Sequence, residues 1–425
     1  MKIFFCFFTI LQVLELVYSY KKTKRIFSIP NIYFVGITIN FILYLCDWST
    51  DFTVKCQPLT YCILIISTLI VMVFDLIYLK KYVMLENVKL ENYKITKLKY
   101  GDKMFISVSS LIIILCLILA ICENIITYGM LFPFLNKIDA HKNSVVFFGT
   151  LWKAIYPIGL FAFAFEYKEN KGKKKSEYLL LIITTLYLLL GSGGRFWPVI
   201  SVLSFVVFIF NTNKIKLKNI FFMIILGIIS LRVLLLMGMS RLNQNYLYST
   251  LIGYNGPFSN TNLGEIFAWY YGYFPYSFHN LNLTLINIDS NSLFTNGRFF
   301  IIPFLYVTKL HNLFNLEYID LALSVRVISN TSATVATAFF EFYADFRYFF
   351  FLPIVFLIWI MNKWGTKKTL FAQGTYAYCL IIFFFFNFYN VFSSGIPYTF
   401  ILLWYLFNKL MVVKRKECMI FINEK

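Results

Sequence analysis

Charge is scarce in this chain: 14% of its 425 residues are Asp, Glu, Lys or Arg, against about 25% in ordinary soluble proteins. Acidic residues are rarer still, with 20 Asp and Glu facing 39 Lys and Arg, and there are only three histidines. A chain so poor in charge and so rich in aromatics is neither a soluble globular domain nor a disordered segment. None of the eight cysteines forms a CxxC pair, so zinc-site and redox spacings are absent, and a disulfide scaffold does not fit a chain of this size. HExxH, GxSxG, a Walker loop and a strand-borne GxGxxG are missing too, leaving metalloprotease, serine-hydrolase and nucleotide chemistry without footing. No repeat of 20–50 residues is visible, and the two halves differ, which argues against transporters built from matching halves.

What is present is hydrocarbon. Hydrophobic residues make up 59% of the chain, mean hydropathy is +0.70, and the apolar residues come in blocks of about 16–22, the length that crosses a bilayer. The fold class expected is therefore all-α, a polytopic integral membrane protein of about eleven transmembrane helices. The blocks lie near 3–19, 27–46, 59–79, 104–124, 144–166, 178–191, 196–210, 220–239, 347–362, 370–391 and 396–413. The sixth and seventh are short and flank GSGGR, a pattern that also suits one hairpin dipping into the membrane. Three regions follow: 1–239 with eight spans, 240–346 as one long outer loop, and 347–425 with three spans and a tail.

The net charge of +19 belongs to short lysine clusters between apolar blocks, which speaks for a membrane and against nucleic acid. KKTKR (21–25), the 80–103 segment, KENKGKKK (168–175), NKIKLK (213–218), NKWGTKK (362–368) and residues 409–425 hold 27 of the 39 basic residues. Placed in the cytoplasm, these clusters put the N-terminus and residues 240–346 outside and the C-terminus inside. The first apolar run lacks a small-residue cleavage site and is followed, not preceded, by its basic cluster, so it reads as a retained span. The 240–346 segment is rich in Tyr, Phe and Asn and nearly free of Lys, a composition that suits short helices packed on the outer face of the membrane.

Chemistry is expected on that outer side. Arg195, Arg241, Arg298 and Arg326 lie there, with Arg347 at the start of the ninth span, in a chain that otherwise prefers lysine. The guanidinium fork binds phosphate in bidentate fashion, so these arginines suit an anionic lipid headgroup such as a pyrophosphate. Pairing with neighbouring acids explains each one singly. The outer carboxylates are Asp47, Asp51, Asp139, Glu265, Asp289, Glu317, Asp320, Glu341 and Asp345. Glu341 and Asp345 stand four residues apart in FFEFYADF, which places them on one face of a helix. His141, His279 and His311 also fall outside, and His279 sits in the dense run YYGYFPYSFHN (270–280). A histidine or carboxylate here is suited to take a proton from a sugar hydroxyl. Lys153 and Arg232 lie within apolar runs, where a charge needs a partner; Asp75 and Glu123 are the candidates. No cofactor or metal is expected.

Three elements together resemble the O-antigen polymerase family, the Wzy-type oligosaccharide repeat unit polymerases: LLLGSGGRFWPV (188–199), IFAWYYGYFPYSFHNLN (266–282) and EFYADF (341–346). The resemblance spans roughly residues 100–410. Arg195 falls one or two residues later than in the family's Gly-Ser-Arg-Gly turn. Arg347 replaces the glycine that usually follows Asp-Phe. Arg241 to Gly253 is one residue longer than an Arg-x10-Gly motif. The resemblance implies a glycosyltransferase of the bacterial inner membrane that joins undecaprenyl-pyrophosphate-linked oligosaccharides at the outer leaflet, beside a chain-length regulator. Arg195, Arg241, Arg298 and Arg326 would hold the leaving pyrophosphate; Glu341, His279 or Asp345 would act on the acceptor. An O-antigen ligase and a lipid-linked oligosaccharide flippase are the alternatives with similar composition.

Overall fold

The computed structural model describes residues 2–85, 93–95, 98–100, 104–133, 146–170, 175–191, 196–212, 247–259, 261–308, 310, 313, 318–330 and 335–414. Helices α1 (Lys2–Thr23), α2 (Ile29–Leu45) and α3 (Pro58–Leu85) open the chain. Strands β1 (Tyr93–Ile95), β2 (Leu98–Tyr100) and β3 (Met104–Ile106) precede α4 (Val108–Tyr128), α5 (Val146–Asn170), α6 (Lys175–Leu186) and α7 (Phe196–Thr212). Short helices follow: α8 (Tyr248–Leu251), α9 (Asn262–Tyr273), α10 (Pro275–Asn291), α11 (Arg298–Thr308), α12 (Tyr318–Val325) and α13 (Phe339–Phe346). The chain then runs through α14 (Phe351–Gly365), α15 (Leu370–Phe384), α16 (Ile396–Met411) and β4 (Val412–Lys414). The strands form two antiparallel pairs, β1 with β4 and β2 with β3.

Five stretches among the described residues are long and apolar enough to cross a membrane: Lys2–Thr23, Pro58–Met84, Val108–Tyr128, Phe148–Glu166 and Leu370–Asn387. The burial pattern of α1 shows what its surroundings are. Its buried face carries Gln12, Glu15, Ser19 and Thr23 beside Phe5, whereas Ile3, Phe4, Phe7, Ile10, Leu14 and Val17 point outward. A helix that hides polar groups and exposes apolar ones is built for lipid, where an unpaired polar group costs several kcal/mol. The same inversion recurs on α4, where Ser109, Glu123 and Asn124 are buried and Leu115, Ile118 and Ile126 exposed. This is a helical membrane protein.

Other expected spans are shorter or broken. α2 carries a π-turn at Phe34–Thr38, and α6 ends in another at Tyr187–Gly191. The expected 220–239 span lies outside the described residues. At the ninth span, Phe339–Phe349 and Phe351–Gly365 meet at 112°. The chain turns there because Arg347 has φ 51° and ψ −123°, which ends α13 abruptly.

The helices group into two compact units. The first joins residues 1–84, 213–366 and 379–395, so the 247–346 stretch shares a core with the first three helices. Its centre is aromatic: Phe41 meets Phe5 at 4.8 Å, Phe278 at 5.3 Å and Tyr61 at 5.4 Å. The second joins 85–212, 367–378 and 396–425, with Cys116, Trp152, Tyr156 and Leu160 buried among α4, α5 and the end of α6. Inside it Lys153, from the apolar run of α5, pairs with Glu123 at 3.4 Å, and Trp152 Nε1 donates to the same carboxylate at 2.5 Å. Lys153 thus has the structural partner its burial requires. Gly149 makes room for this pair, since a Cβ there would stand 2.1 Å from Glu123 Oε1.

Candidate functional site

The site in the first unit is assembled from two segments some two hundred residues apart. Between α2 and α3 the chain forms the loop CDWSTDF (46–52), which reverses at Asp47 (φ 59°). That loop lies along 252–255. Thr50 N donates to Gly253 O at 2.9 Å, Asn255 N to Trp48 O at 3.0 Å, and Ser49 Oγ to Ile252 O at 2.6 Å. Tyr271 and Tyr254 pack beneath with Tyr248 and Tyr276. Gly253 is required twice over: its φ is +55°, and a Cβ would lie 2.1 Å from Thr50 Oγ1. Helix α9 then starts at Thr261, whose hydroxyl accepts from Gly264 N at 3.2 Å, a helix-capping bond.

The result is an open cleft of about 980 Å³. Its walls mix polar and apolar surface: the hydroxyls and amides of Thr50, Ser249, Thr250, Asn255, Ser259, Thr261 and Asn262, the carboxylate of Glu265, and Leu247, Gly253 and Tyr254. Glu265 is 8% exposed and accepts from both the hydroxyl and the N–H of Ser249, the latter at 3.3 Å.

Asp51 stands directly behind the cleft wall. Its Oδ2 accepts from Asn330 Nδ2 at 2.6 Å and from the Tyr276 hydroxyl at 3.2 Å. The network continues inward: Tyr276 OH is 2.9 Å from Ser329 Oγ, Ser329 donates to Asn280 Oδ1, and Asn280 Nδ2 donates to Val335 O at 2.7 Å. Asn330 Nδ2 also reaches Leu251 O at 2.8 Å, tying the network to the cleft-forming segment.

The residues singled out from the sequence are dispersed. His279 is fully buried, stacked on Phe52 at 4.5 Å, and neither ring nitrogen has a hydrogen-bond partner. Burial pushes its pKa down to about 4, against the pull of Asp51 and Asp47, so the ring is neutral at pH 7. Glu341 is 1% exposed and accepts from Asn390 Nδ2 at 2.7 Å. Asp345 accepts from Thr295 Oγ1 at 2.5 Å, Phe299 N at 3.2 Å and Phe300 N at 2.8 Å. It therefore satisfies the first amides of α11, and burial holds its carboxyl above the usual carboxylate range. Arg298 is exposed at the start of α11, and Arg326, with its Nε buried and unpartnered, follows the end of α12, the helix packed against α11. Arg347 places its guanidinium 3.1 Å from the centre of the Phe294 ring. Arg195, Arg241, Arg232, His141 and His311 lie outside the described residues.

Glu341 and Asp345 share the short helix α13, as their spacing requires, but their carboxylates serve different neighbours. Sequence reading passed over the pairing of Asp51 with Asn330 and the place of Glu265 at the cleft. The one available signal was the polar, two-carboxylate character of the short loop after α2. Among the described residues no group of three or more His, Cys, Asp or Glu side chains is arranged to hold a metal ion. No family model matches the chain, and neither a curated protein nor a solved structure matches it.

Proposed function

We propose that this chain is a surface-polysaccharide polymerase of the O-antigen type. In this reading it is a glycosyltransferase of the bacterial inner membrane with about eleven spans. The 240–346 stretch faces outward and the C-terminus is cytoplasmic. It joins oligosaccharide units carried on undecaprenyl pyrophosphate, with a chain-length regulator as partner.

The observation that carries the reading is the cleft. At about 980 Å³ it stands at the upper end of small-molecule pockets, roughly 300–1,000 Å³, and so has room for several sugar rings. Hydroxyls and amides interleaved with Tyr254 and Leu247 match the alternating hydroxyls and apolar faces of a glycan, and the cleft belongs to a protein that lives in lipid, where the carrier is. The EFYADF element adds support. Position 347, occupied by glycine in the family the sequence resembles, has a backbone conformation that glycine adopts freely.

In the reaction an acceptor hydroxyl attacks the anomeric carbon of the donor glycan. The new C–O bond forms as the bond to pyrophosphate breaks, and the electron pair leaves with the pyrophosphate. Arginine charge favours that departure, a role open to the exposed Arg298, to Arg326 and, on the resemblance, to Arg195 and Arg241. On the resemblance, a carboxylate or histidine, Glu341, His279 or Asp345, receives the acceptor's proton.

Deleting the gene in its own strain and running the surface polysaccharide on a gel tests the reading. Collapse of the ladder to core plus one repeat unit is the expected result. An unchanged ladder refutes it, and loss of all capped lipopolysaccharide replaces it with a ligase or flippase.

A further inference from the structure

We propose that the joined C-terminal ends of α1, α3 and α14 bind the headgroup of an anionic phospholipid, with preference for one that carries two phosphates. Three helices far apart in the chain meet there. The Arg25 guanidinium, just past α1, lies 4.6 Å from the centre of the Tyr82 ring in the last turn of α3. Its Nη1 donates to Gly365 O, at the end of α14, at 3.4 Å. The Tyr82 hydroxyl donates to Asn362 Oδ1 of α14 at 2.8 Å. Tyr82 and Asn362 are buried, so this junction holds the three ends together.

Lysines surround it. Lys24 adjoins Arg25, Lys81 adjoins Tyr82 and Lys363 adjoins Asn362, and all three lysines are exposed. Lys21, Lys22 and Lys80 add further exposed charge on the same ends. Among the described residues, no carboxylate forms an ion pair with any of these cations. A helix C-terminus favours a nearby cation, but like charges at this density repel one another, and a bound anion offsets the repulsion.

Aromatic rings set the depth of the lysines in the membrane. Lys22 lies over Tyr18 and Lys24 over Tyr20, each at 5.9 Å, while Lys81 lies 4.9 Å from the Tyr78 ring and Lys363 5.0 Å from Trp359. Tyr18, Tyr20 and Trp359 are 40–48% exposed. Outward Tyr and Trp on membrane helices stand at the level of the headgroups, so the ammonium groups beside them are at the level of lipid phosphate. Because the lysines belong to separate helices, a headgroup with two phosphates can engage more than one helix end for a single immobilised molecule. The cleft is remote from this site. Its Thr50 wall precedes α3, whose 28 residues place their far end about 40 Å away.

The test uses the full-length protein in uncharged detergent micelles, titrated with cardiolipin, phosphatidylglycerol or phosphatidylcholine, with bound lipid counted by native mass spectrometry. Cardiolipin should bind most tightly, phosphatidylglycerol less so, and phosphatidylcholine least. The triple change Lys24→Gln, Lys81→Gln and Lys363→Gln should weaken cardiolipin binding about fivefold for each lysine, about 10²-fold in all. The same three positions changed to Arg should bind like wild type. So should Lys2→Gln with Lys55→Gln, which removes exposed charge at the start of α1 and just before α3. Equal affinity for phosphatidylcholine and cardiolipin overturns the proposal, as does wild-type binding by the glutamine triple. A comparable loss in the Lys2 and Lys55 variant overturns it as well, since net charge and not this site would then hold the lipid. Loss in the arginine triple would reduce the lysines to packing. Release of cardiolipin by an equal concentration of inorganic pyrophosphate would replace the lipid site with one for free anions.

Discussion

Arg347 allows backbone strain to be separated from side-chain attraction by two substitutions at one position. Its φ of 51° with ψ of −123° is a conformation glycine adopts freely and a residue with a Cβ adopts at a cost of about 1–3 kcal/mol. The side chain returns part of that through the guanidinium over Phe294, a contact worth about 0.5–1 kcal/mol at an exposed position. Arg347→Ala loses the attraction and keeps the strain. Arg347→Gly loses both, and sets against the relief about 0.5–1 kcal/mol of extra freedom in the unfolded chain. Glycine should therefore exceed alanine by roughly 0.5–2 kcal/mol, with arginine between them or level with glycine. Reversible unfolding in mixed detergent–SDS micelles, followed by tryptophan fluorescence, ranks the three. Alanine as stable as glycine would show that position 347 does not hold this backbone in the folded protein, and the explanation of the 112° bend would go with it.

Other substitutions probe the rest of the fold. Asp345→Ala strips the cap from α11 and should cost about 1–2 kcal/mol or more, read by the same unfolding titration; a neutral result would mean the cap is made by water. Lys153→Met leaves Glu123 charged and buried and should cost about 3–5 kcal/mol, while the double change Glu123→Gln with Lys153→Met recovers most of it. Gly253→Ala forces a Cβ against Thr50 Oγ1 and should reduce chain extension in membranes supplied with the lipid-linked repeat unit, without removing the protein. His279 has a folded-state pKa of about 4, below the unfolded 6.5, so its contribution to stability is whole above pH 6.5 and is lost as pH falls towards 4. That difference is worth roughly 3 kcal/mol at 1.36 kcal/mol per unit. His279→Phe should flatten this part of the stability–pH curve; a variant with the wild-type slope would place the titration elsewhere.

What the sequence made legible follows from which interactions are local. α1, α3 and α4 announce themselves because each is a predominantly apolar run of spanning length, with few charges inside it. The demand that Lys153 find an acid was readable too, since an intramembrane cation without one is costly, and Glu123 was one of two candidates. The bend at Arg347 gave no local sign: a glycine there would have marked a turn, and an arginine does not. The cleft was invisible for a different reason. It exists only when residues 48–51 lie along 252–255, and neither segment carries a motif that specifies the other. The i,i+4 spacing of Glu341 and Asp345 gave their shared helix face correctly, but spacing says nothing of what that face meets.

What it meets assigns the EFYADF element a task. Glu341 receives Asn390, the Tyr343 hydroxyl donates to Asp289 at 2.8 Å, Asp345 caps α11, and position 347 reverses the chain. Each contact ties α13 to a different segment of the first unit: the stretch after α15, the end of α10, and the start of α11. A helix whose polar side chains are spent in this way works as a clamp. Glu341 is held by Asn390 and Asp345 by Thr295 and the first amides of α11, and a carboxylate committed to structural hydrogen bonds in this way is a poor proton acceptor.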